Sequence, residues 1–340
     1  MRKEKIYTYI FKILTTKQTK PRIICQKTKR EDVNLKKSHI SNGKNDDEFI
    51  KIFIGIWGVI LLSAMAIGTF FDEQISYKLY GLLPTLSQIA DTCGELPCFL
   101  FSAFCCAIVA RYMLICSTVK KTPAVIFFLF INVLGAWLAF IGIYSAVKNI
   151  ALSVVLSTGA QIIAVLTSAD IKKEKTKRYA ALALSTLLSI FIAVTIAFIA
   201  KKTIMRPRFY TVLYGNSIYS PWYKQGTGGA SFFSGHALMT SLMLLCMRFV
   251  DTGIKKRGLF ILVFTLYSVV SFARISIGAH YLSDVSFAGL TSLGIFIVCT
   301  KSFDPLFLTV VQGTFSHRVL SQYRRYHRKI KLPLSFRLRR

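Results

Sequence analysis

Three short segments between Lys201 and Asp284 carry the residue types that could bind a phosphate and move it. The segments are KKTIMRPRF (201–209), SFFSGHA (231–237) and ARISIGAHYLSD (273–284). Each adjoins an apolar run long enough to cross a membrane. Together they supply cationic side chains, two histidines, a carboxylate and a glycine-flanked helix start. This set of groups could hold a phosphate and transfer it to a histidine.

The third segment is the most specific of the three. Arg274, His280 and Asp284 are spaced so that the histidine and the carboxylate can lie one helical turn apart on one face. A carboxylate beside a histidine fixes the imidazole tautomer and stabilises the imidazolium, which suits an imidazole nucleophile that attacks phosphorus. The planar fork of Arg274 matches phosphate oxygens. The alternative is a structural histidine next to a carboxylate that caps a helix.

The second segment predicts the start of a helix at Ser234, Gly235 and His236. Backbone N–H groups at a helix N-terminus bind anions, Ser234 adds a hydroxyl, and Gly235 lets the backbone approach a phosphate closely. His236 would then be the general acid for the leaving oxygen. The alternative is an N-cap serine followed by an ordinary interfacial histidine.

In the first segment, Lys201 and Arg208 could clamp phosphate oxygens. Lys202 and Arg206 are the alternates, because the register of this segment is ambiguous. Cations at a membrane edge also extend towards headgroups and water without any catalytic role. The occurrence of all three segments in order, on one predicted side of the membrane, favours the functional interpretation.

Composition predicts an all-α, polytopic membrane bundle of about eight transmembrane helices. The hydrophobic fraction is 53%, and a hydrocarbon core of ~30 Å needs ~20 apolar helical residues to cross it. The segment 72–97, which follows the first span, is predicted to lie along the outer interface. The predicted spans are 50–71, 98–116, 123–147, 150–168, 179–200, 236–250, 258–278 and 284–300.

The net charge of +29 is concentrated in the tails and in short loops. Basic clusters fall at every second span boundary, which the positive-inside rule places in the cytoplasm. The sequence thus predicts an integral plasma membrane protein with both termini cytoplasmic and the three segments on the extracytoplasmic side. Four regions are predicted: a basic cytoplasmic tail (1–49), N-terminal transmembrane helices with the interfacial segment (50–178), a catalytic core (179–300) and a second basic cytoplasmic tail (301–340).

The basic tails are predicted to meet anionic lipids, and residues 6–14 could lie on the membrane surface as an amphipathic helix. Nucleic-acid binding is not expected, because no zinc-ligand spacing, aromatic RNA-binding signature or recognition-helix pattern accompanies the charge.

Most cysteines suit buried positions. Cys93 and Cys98 could form one bridge, although two unpaired thiols are the simpler interpretation. The oligomeric state is left open.

These residues resemble the motifs of the type 2 phosphatidic acid phosphatase (PAP2) superfamily, in particular bacterial membrane lipid phosphate phosphatases. The family motifs are Lys-x6-Arg-Pro, Pro-Ser-Gly-His and Ser-Arg-x5-His-x3-Asp. This chain has Phe209 and Phe233 in place of the two prolines and Ala273 in place of the serine. The intact Arg206-Pro207 offers another register, but Ile199 would then stand at the lysine position. The resemblance covers about 179–300, and the FDEQIS and GELP elements after the first span also look like those of bacterial members.

The resemblance implies a core shared with vanadium haloperoxidases and a lipid phosphate or diphosphate as substrate. His280 would form a phospho-histidine, Asp284 would support it and His236 would protonate the leaving group. It also implies a metal-independent phosphatase without a cofactor. A non-hydrolytic lipid-phosphate binding or transport protein, or a lipid phosphotransferase, on the same frame is the alternative. The residues implied to bind phosphate are Lys201, Arg208, Ser234, Gly235 and Arg274.

Overall fold

The computed structural model describes residues 29–116, 121–250 and 253–312. The predicted surface helix at 6–14 and the basic segment from 313 onwards lie outside the described residues. Within those residues the chain is helical and forms no strand. The α-helices, in chain order, are α1 (Lys29–Leu79), α2 (Pro84–Cys93), α3 (Leu96–Ile115), α4 (Lys121–Val147), α5 (Ile150–Ala169), α6 (Lys173–Ile204), α7 (Phe209–Leu213), α8 (Gly235–Leu242), α9 (Gly253–Ser276), α10 (Leu282–Val298) and α11 (Asp304–Gln312).

Seven stretches of helix in the described residues are long and apolar enough to cross a membrane. Large apolar side chains are exposed along them, as in Phe70, Val133 and Phe191, and such a surface suits lipid. The polytopic helical bundle predicted from composition is therefore confirmed. The seven stretches are Glu48–Leu79, Pro84–Ile115, Lys121–Val147, Ile150–Ala169, Lys173–Leu213, Gly253–Ser276 and Leu282–Val311.

The predicted sixth span is the exception. Its residues form α8, of eight residues, followed by a 3₁₀-helix of seven residues over Met243–Phe249. Even with the longer rise of the 3₁₀ turns, this length falls short of a ~30 Å hydrocarbon core. It is a short apolar helix inside the bundle, so the described residues contain seven candidate spans and not eight.

The short helix forms the centre of the protein. Leu238, Leu242, Leu244 and Leu245 are all buried there, and α9 and α10 pack directly on α8. A second set of contacts holds α1 against α9, where the ring of Trp57 meets three aromatic rings edge-on. The partners of Trp57 are Phe260, Phe264 and Tyr267, at centroid distances of 5.7, 5.6 and 5.4 Å.

The described part of the predicted C-terminal tail, residues 301–312, is helical and packs on the bundle. After α10 a π-helix over Cys299–Phe303 leads directly into α11, which packs on α6. The carboxylate of Asp304 pairs with Arg248, and Ser185 of α6 donates a hydrogen bond of 2.5 Å to the same carboxylate. A nearly buried ion pair therefore holds residues 301–312 to the bundle.

Part of the predicted N-terminal tail is also helical. The helix α1 begins at Lys29, within the predicted tail, and runs on through the first span to Leu79. Residues 72–97, predicted to lie along the outer interface, form the end of α1 and α2, which packs on α9. Cys93 and Cys98 are both free thiols, so the possible bridge between them is not formed.

Candidate active site

One end of the bundle gathers the ends and starts of several helices, and with them the predicted site residues. The last turns of α1 and α6 lie there, together with the start of α8. The junction of α2 with α3 and the turn between α9 and α10 lie at the same end. The acidic and basic side chains brought together are Asp72, Asp91, Glu95, Lys201, Arg206, His236, Arg274, His280 and Asp284.

His280 lies in the turn between α9 and α10. Gly278 has a φ of 69°, a left-handed conformation that glycine adopts without strain, and it reverses the chain there. The imidazole is 1% exposed, and its Nδ1 lies 2.6 Å from the carbonyl oxygen of Ser231 and 3.6 Å from Oδ2 of Asp284. Because both neighbours of Nδ1 are acceptors, Nδ1 carries the proton and the lone pair is on Nε2.

Burial keeps this imidazole neutral. It lowers the pKa of His280 to about 3, and the neighbouring Asp284 opposes that shift only in part. A neutral imidazole with its lone pair on Nε2 is the form that can attack phosphorus.

Asp284 has three donors around its carboxylate. Arg206 donates to Oδ1 at 2.6 Å, the backbone N–H of Tyr281 donates to Oδ2 at 3.0 Å, and the hydroxyl of Ser231 also donates to Oδ2. Ser231 therefore contacts both members of the pair, through its carbonyl to His280 and through its hydroxyl to Asp284. Sequence analysis assigned it no role.

Arg206, one of the alternates in the first segment, is fully buried between two carboxylates. It donates to Asp284 and, at 2.9 Å, to Oδ2 of Asp72, and its guanidinium lies 3.9 Å from the ring centroid of Tyr281. Asp72 in turn accepts the backbone N–H of Ser283 at 2.9 Å. With its donors committed in this way, Arg206 is placed to orient Asp284 and not to bind a ligand.

Ser234 caps α8, as its sequence position predicts. Its hydroxyl accepts the N–H of Ala237 at 3.4 Å, and its own N–H donates to the carbonyl of Asp284 at 3.3 Å. A Cβ added to Gly235 would lie 3.8 Å from Nζ of Lys201 and 3.5 Å from Oε1 of Glu95, both ordinary contacts. The start of α8 therefore faces a lysine ammonium, and protein packing alone does not demand glycine at this position.

His236 lies beside two carboxylates that sequence analysis did not assign to the site. Its Nδ1 is 3.1 Å from Oε1 of Glu95, and its Nε2 is 3.7 Å from Oδ1 of Asp91. The same oxygen of Asp91 pairs with Arg274, which is 6% exposed and whose Nε has no hydrogen-bond partner. A sequence signal for these acids did exist, because Asp and Glu together number only 15 in this basic chain.

Lys201 and Arg208, which were predicted to bind phosphate oxygens, border a cavity of about 610 Å³. Lys201 lies near the end of α6 and Arg208 is the N-cap of α7. Lys202 and the exposed Phe198 also line the cavity, but neither histidine nor Arg274 does. The cavity thus reaches Lys201, whose Nζ faces the start of α8, without enclosing the histidines. This placement favours Lys201 and Arg208 over the register that uses Arg206.

The arrangement contains the kinds of groups that phosphate transfer to nitrogen would use. A neutral imidazole is held by a carboxylate, a second imidazole is held by another carboxylate, and the cations Lys201, Arg208 and Arg274 lie around them. Within the described residues, no three His, Cys, Asp or Glu side chains are grouped so that they could hold a metal ion.

Comparison with known proteins finds a family match in the second half of the chain. The model of the PAP2 superfamily matches residues 179–307, a range that contains every site residue predicted from the three segments. Asp72, Asp91 and Glu95 lie outside it. No curated protein and no solved structure matches the chain significantly. Residues 179–307 of this membrane protein therefore form a PAP2 superfamily domain, which supports a phosphatase-type activity.

Proposed function

We propose that the protein is a membrane phosphatase that removes phosphate from a lipid phosphate or diphosphate through a phospho-histidine on His280. The observation that carries the proposal is the environment of His280. Its imidazole is buried and neutral, and Nδ1 is engaged by Ser231 and Asp284. Nε2 is thereby left as the proposed nucleophile, and Arg274 and Lys201 lie close enough to act electrostatically on the ring.

In the first step, Nε2 of His280 forms a bond to phosphorus while the bond from phosphorus to the lipid oxygen breaks. The electron pair of that bond stays on the oxygen, which takes the proton from His236. Lys201, Arg208, Arg274 and the start of α8 hold the other phosphate oxygens, whose charge the cations stabilise. Asp284 stabilises the imidazolium that forms on His280.

In the second step, water attacks the phospho-histidine and the nitrogen–phosphorus bond breaks. His236 accepts a proton from that water, so both histidines return to their starting forms and phosphate is released.

The position of the cavity beside Lys201 and Arg208 supports a lipid substrate. Phe198 lines the cavity and is 62% exposed on the surface of a candidate span. A phosphate attached to an apolar tail could therefore reach Lys201 from the bilayer. Phosphatidate, phosphatidylglycerophosphate and undecaprenyl diphosphate all have this form. By the positive-inside rule, we place the site on the extracytoplasmic side of the plasma membrane.

The test is phosphate release by the purified protein from a panel of these three lipids, with His280→Gln as the variant. We expect release from at least one lipid by the wild type and a loss of ~10³-fold or more in the variant, because the nucleophile is removed. The wild type should also carry an acid-labile, base-stable phosphate after a brief reaction with labelled substrate.

Lys224→Gln is the matched control, since Lys224 is exposed in the loop before α8. Equal release by wild type and His280→Gln would refute the catalytic assignment. Product that appears only with an added alcohol acceptor would identify a phosphotransferase in place of a hydrolase.

A further inference from the structure

Each of the two imidazoles has a carboxylate on the Nδ1 side. For His280 the carboxylate is Asp284, four residues along the chain. For His236 it is Glu95, the N-cap residue of α3, at 3.1 Å. Glu95 comes from the N-terminal half of the chain, outside the residues that match the PAP2 superfamily.

Asp91 shows which way the other nitrogen of His236 faces. Its carboxylate lies between the guanidinium of Arg274 and Nε2 of His236. A carboxylate in this place resembles an anion that bridges the two groups, as a phosphate would. Nε2 of His236 therefore faces the anion position, and Nδ1 faces Glu95.

We propose that Glu95 is a positioning residue for proton transfer by His236. It accepts the Nδ1 proton, which orients the ring so that Nε2–H points at the ester oxygen of the phosphate. Its charge stabilises the imidazolium that must donate that proton. This inference rests on the proposed function, in which the Nε2 proton moves to the leaving oxygen as the bond from phosphorus to that oxygen breaks.

The charges that face His236 show why it needs such a partner. Burial lowers the pKa of His236, and the cations Lys201, Arg208 and Lys148 lower it further. Glu95 raises it, whereas Asp91 is already paired with Arg274. Without Glu95, the imidazole would lose its proton at lower pH, so less of the protonated form would be present near neutral pH to protonate an alcohol leaving group.

The test compares Glu95→Gln with wild type on two substrates whose leaving groups differ. A lipid phosphate expels an alkoxide that needs a proton, whereas p-nitrophenyl phosphate expels a stable phenolate. We expect kcat on the lipid to fall by about 10- to 100-fold and kcat on p-nitrophenyl phosphate to fall far less. The alkaline limb of the lipid pH profile should move to lower pH. Glu73→Gln removes a carboxylate near the end of α1 and should change neither the two kcat values nor the pH profile.

A second comparison separates this role from a structural one. In a His236→Ala background, Glu95→Gln should cause no further loss on the lipid, because its effect passes through His236. If Glu95→Gln cannot be purified in a folded state, Glu95→Asp takes its place, with the same selective loss expected. Equal losses on both substrates, or a further loss in the His236→Ala background, would overturn the inference. A wild type that hydrolyses neither substrate would instead refute the proposed function itself.

Discussion

Asp91 and Arg274 form an ion pair at the place where the proposed mechanism puts the phosphate. The side chain of Arg274 is 7% exposed and that of Asp91 is 36% exposed, so the pair connects the buried site with its entrance. An incoming phosphate would have to displace Asp91 from both Arg274 and His236. On the proposed mechanism, Asp91 is therefore an internal anion that competes with the substrate.

Asp91→Asn should bind phosphate more tightly than the wild type. Removal of the competing carboxylate leaves Arg274 available, so we expect the inhibition constant of inorganic phosphate to fall by about three- to tenfold. Competitive inhibition at several substrate concentrations measures it. Glu73→Gln removes one negative charge from the same end of the bundle and should leave the constant unchanged. Weaker inhibition in Asp91→Asn would mean that Asp91 helps to build the anion site.

Arg206 and Arg208 are two residues apart and should respond differently to the same substitution. Lysine at 206 cannot bridge Asp72 and Asp284 with a planar fork, and a buried carboxylate would lose its partner. We expect Arg206→Lys to lower the free energy of unfolding by about 3–5 kcal/mol. Arg208→Lys should leave stability near that of the wild type but reduce phosphate release. Thermal unfolding in detergent and activity per folded molecule distinguish the two, and equal melting temperatures would contradict the structural role of Arg206.

The sequence predicted the spans well because the bilayer sets their length. The third predicted span, 123–147, is α4 (Lys121–Val147), and the fifth, 179–200, lies within α6 (Lys173–Ile204). The exception is α8, where apolarity signals burial inside a bundle as readily as contact with lipid. The length of this segment, and not its composition, shows that it cannot cross the bilayer.

The individual contacts of the site were predictable where the two residues are close in the chain. The spacing of His280 and Asp284 is local, and the structure brings them together. Glu95 and Asp72 lie more than 100 positions along the chain from their partners His236 and Arg206, and helix packing brings them to the site. No local sequence pattern encodes such contacts. The role of Arg206 was missed for the same reason, because its partners are Asp72 and Asp284.

Acid should destabilise the wild type through His280. Its pKa is about 3 in the folded protein against an unperturbed value of 6.5. Between these values the unfolded state binds a proton that the folded state excludes, so the free energy of unfolding falls as the pH drops below about 6.5. His280→Gln lacks this group and should lose less stability between pH 7 and pH 4. Melting temperatures of both proteins over this range measure the difference, and parallel curves would contradict a buried, neutral His280.

At the opposite end of the bundle, Asp304 should be required for the fold and not for the chemistry. Its carboxylate pairs with Arg248, which also donates to Ser185 at 2.9 Å, and the pair is nearly buried. Asp304→Ala leaves Arg248 without its counter-ion, so we expect a loss of about 3 kcal/mol in stability. Activity per folded molecule should stay near that of the wild type, because Ser185 lies about four helical turns from Lys201 on α6.

Removal of residues 313–340 is the matched comparison for Asp304→Ala. The truncated protein retains α11 and its ion pair, so its melting temperature should stay near that of the wild type. Its binding to vesicles that contain anionic lipid should weaken, because ~1 kcal/mol is lost for each basic residue near the surface. A melting temperature as low as that of Asp304→Ala would show that the segment beyond Gln312 also holds the bundle together.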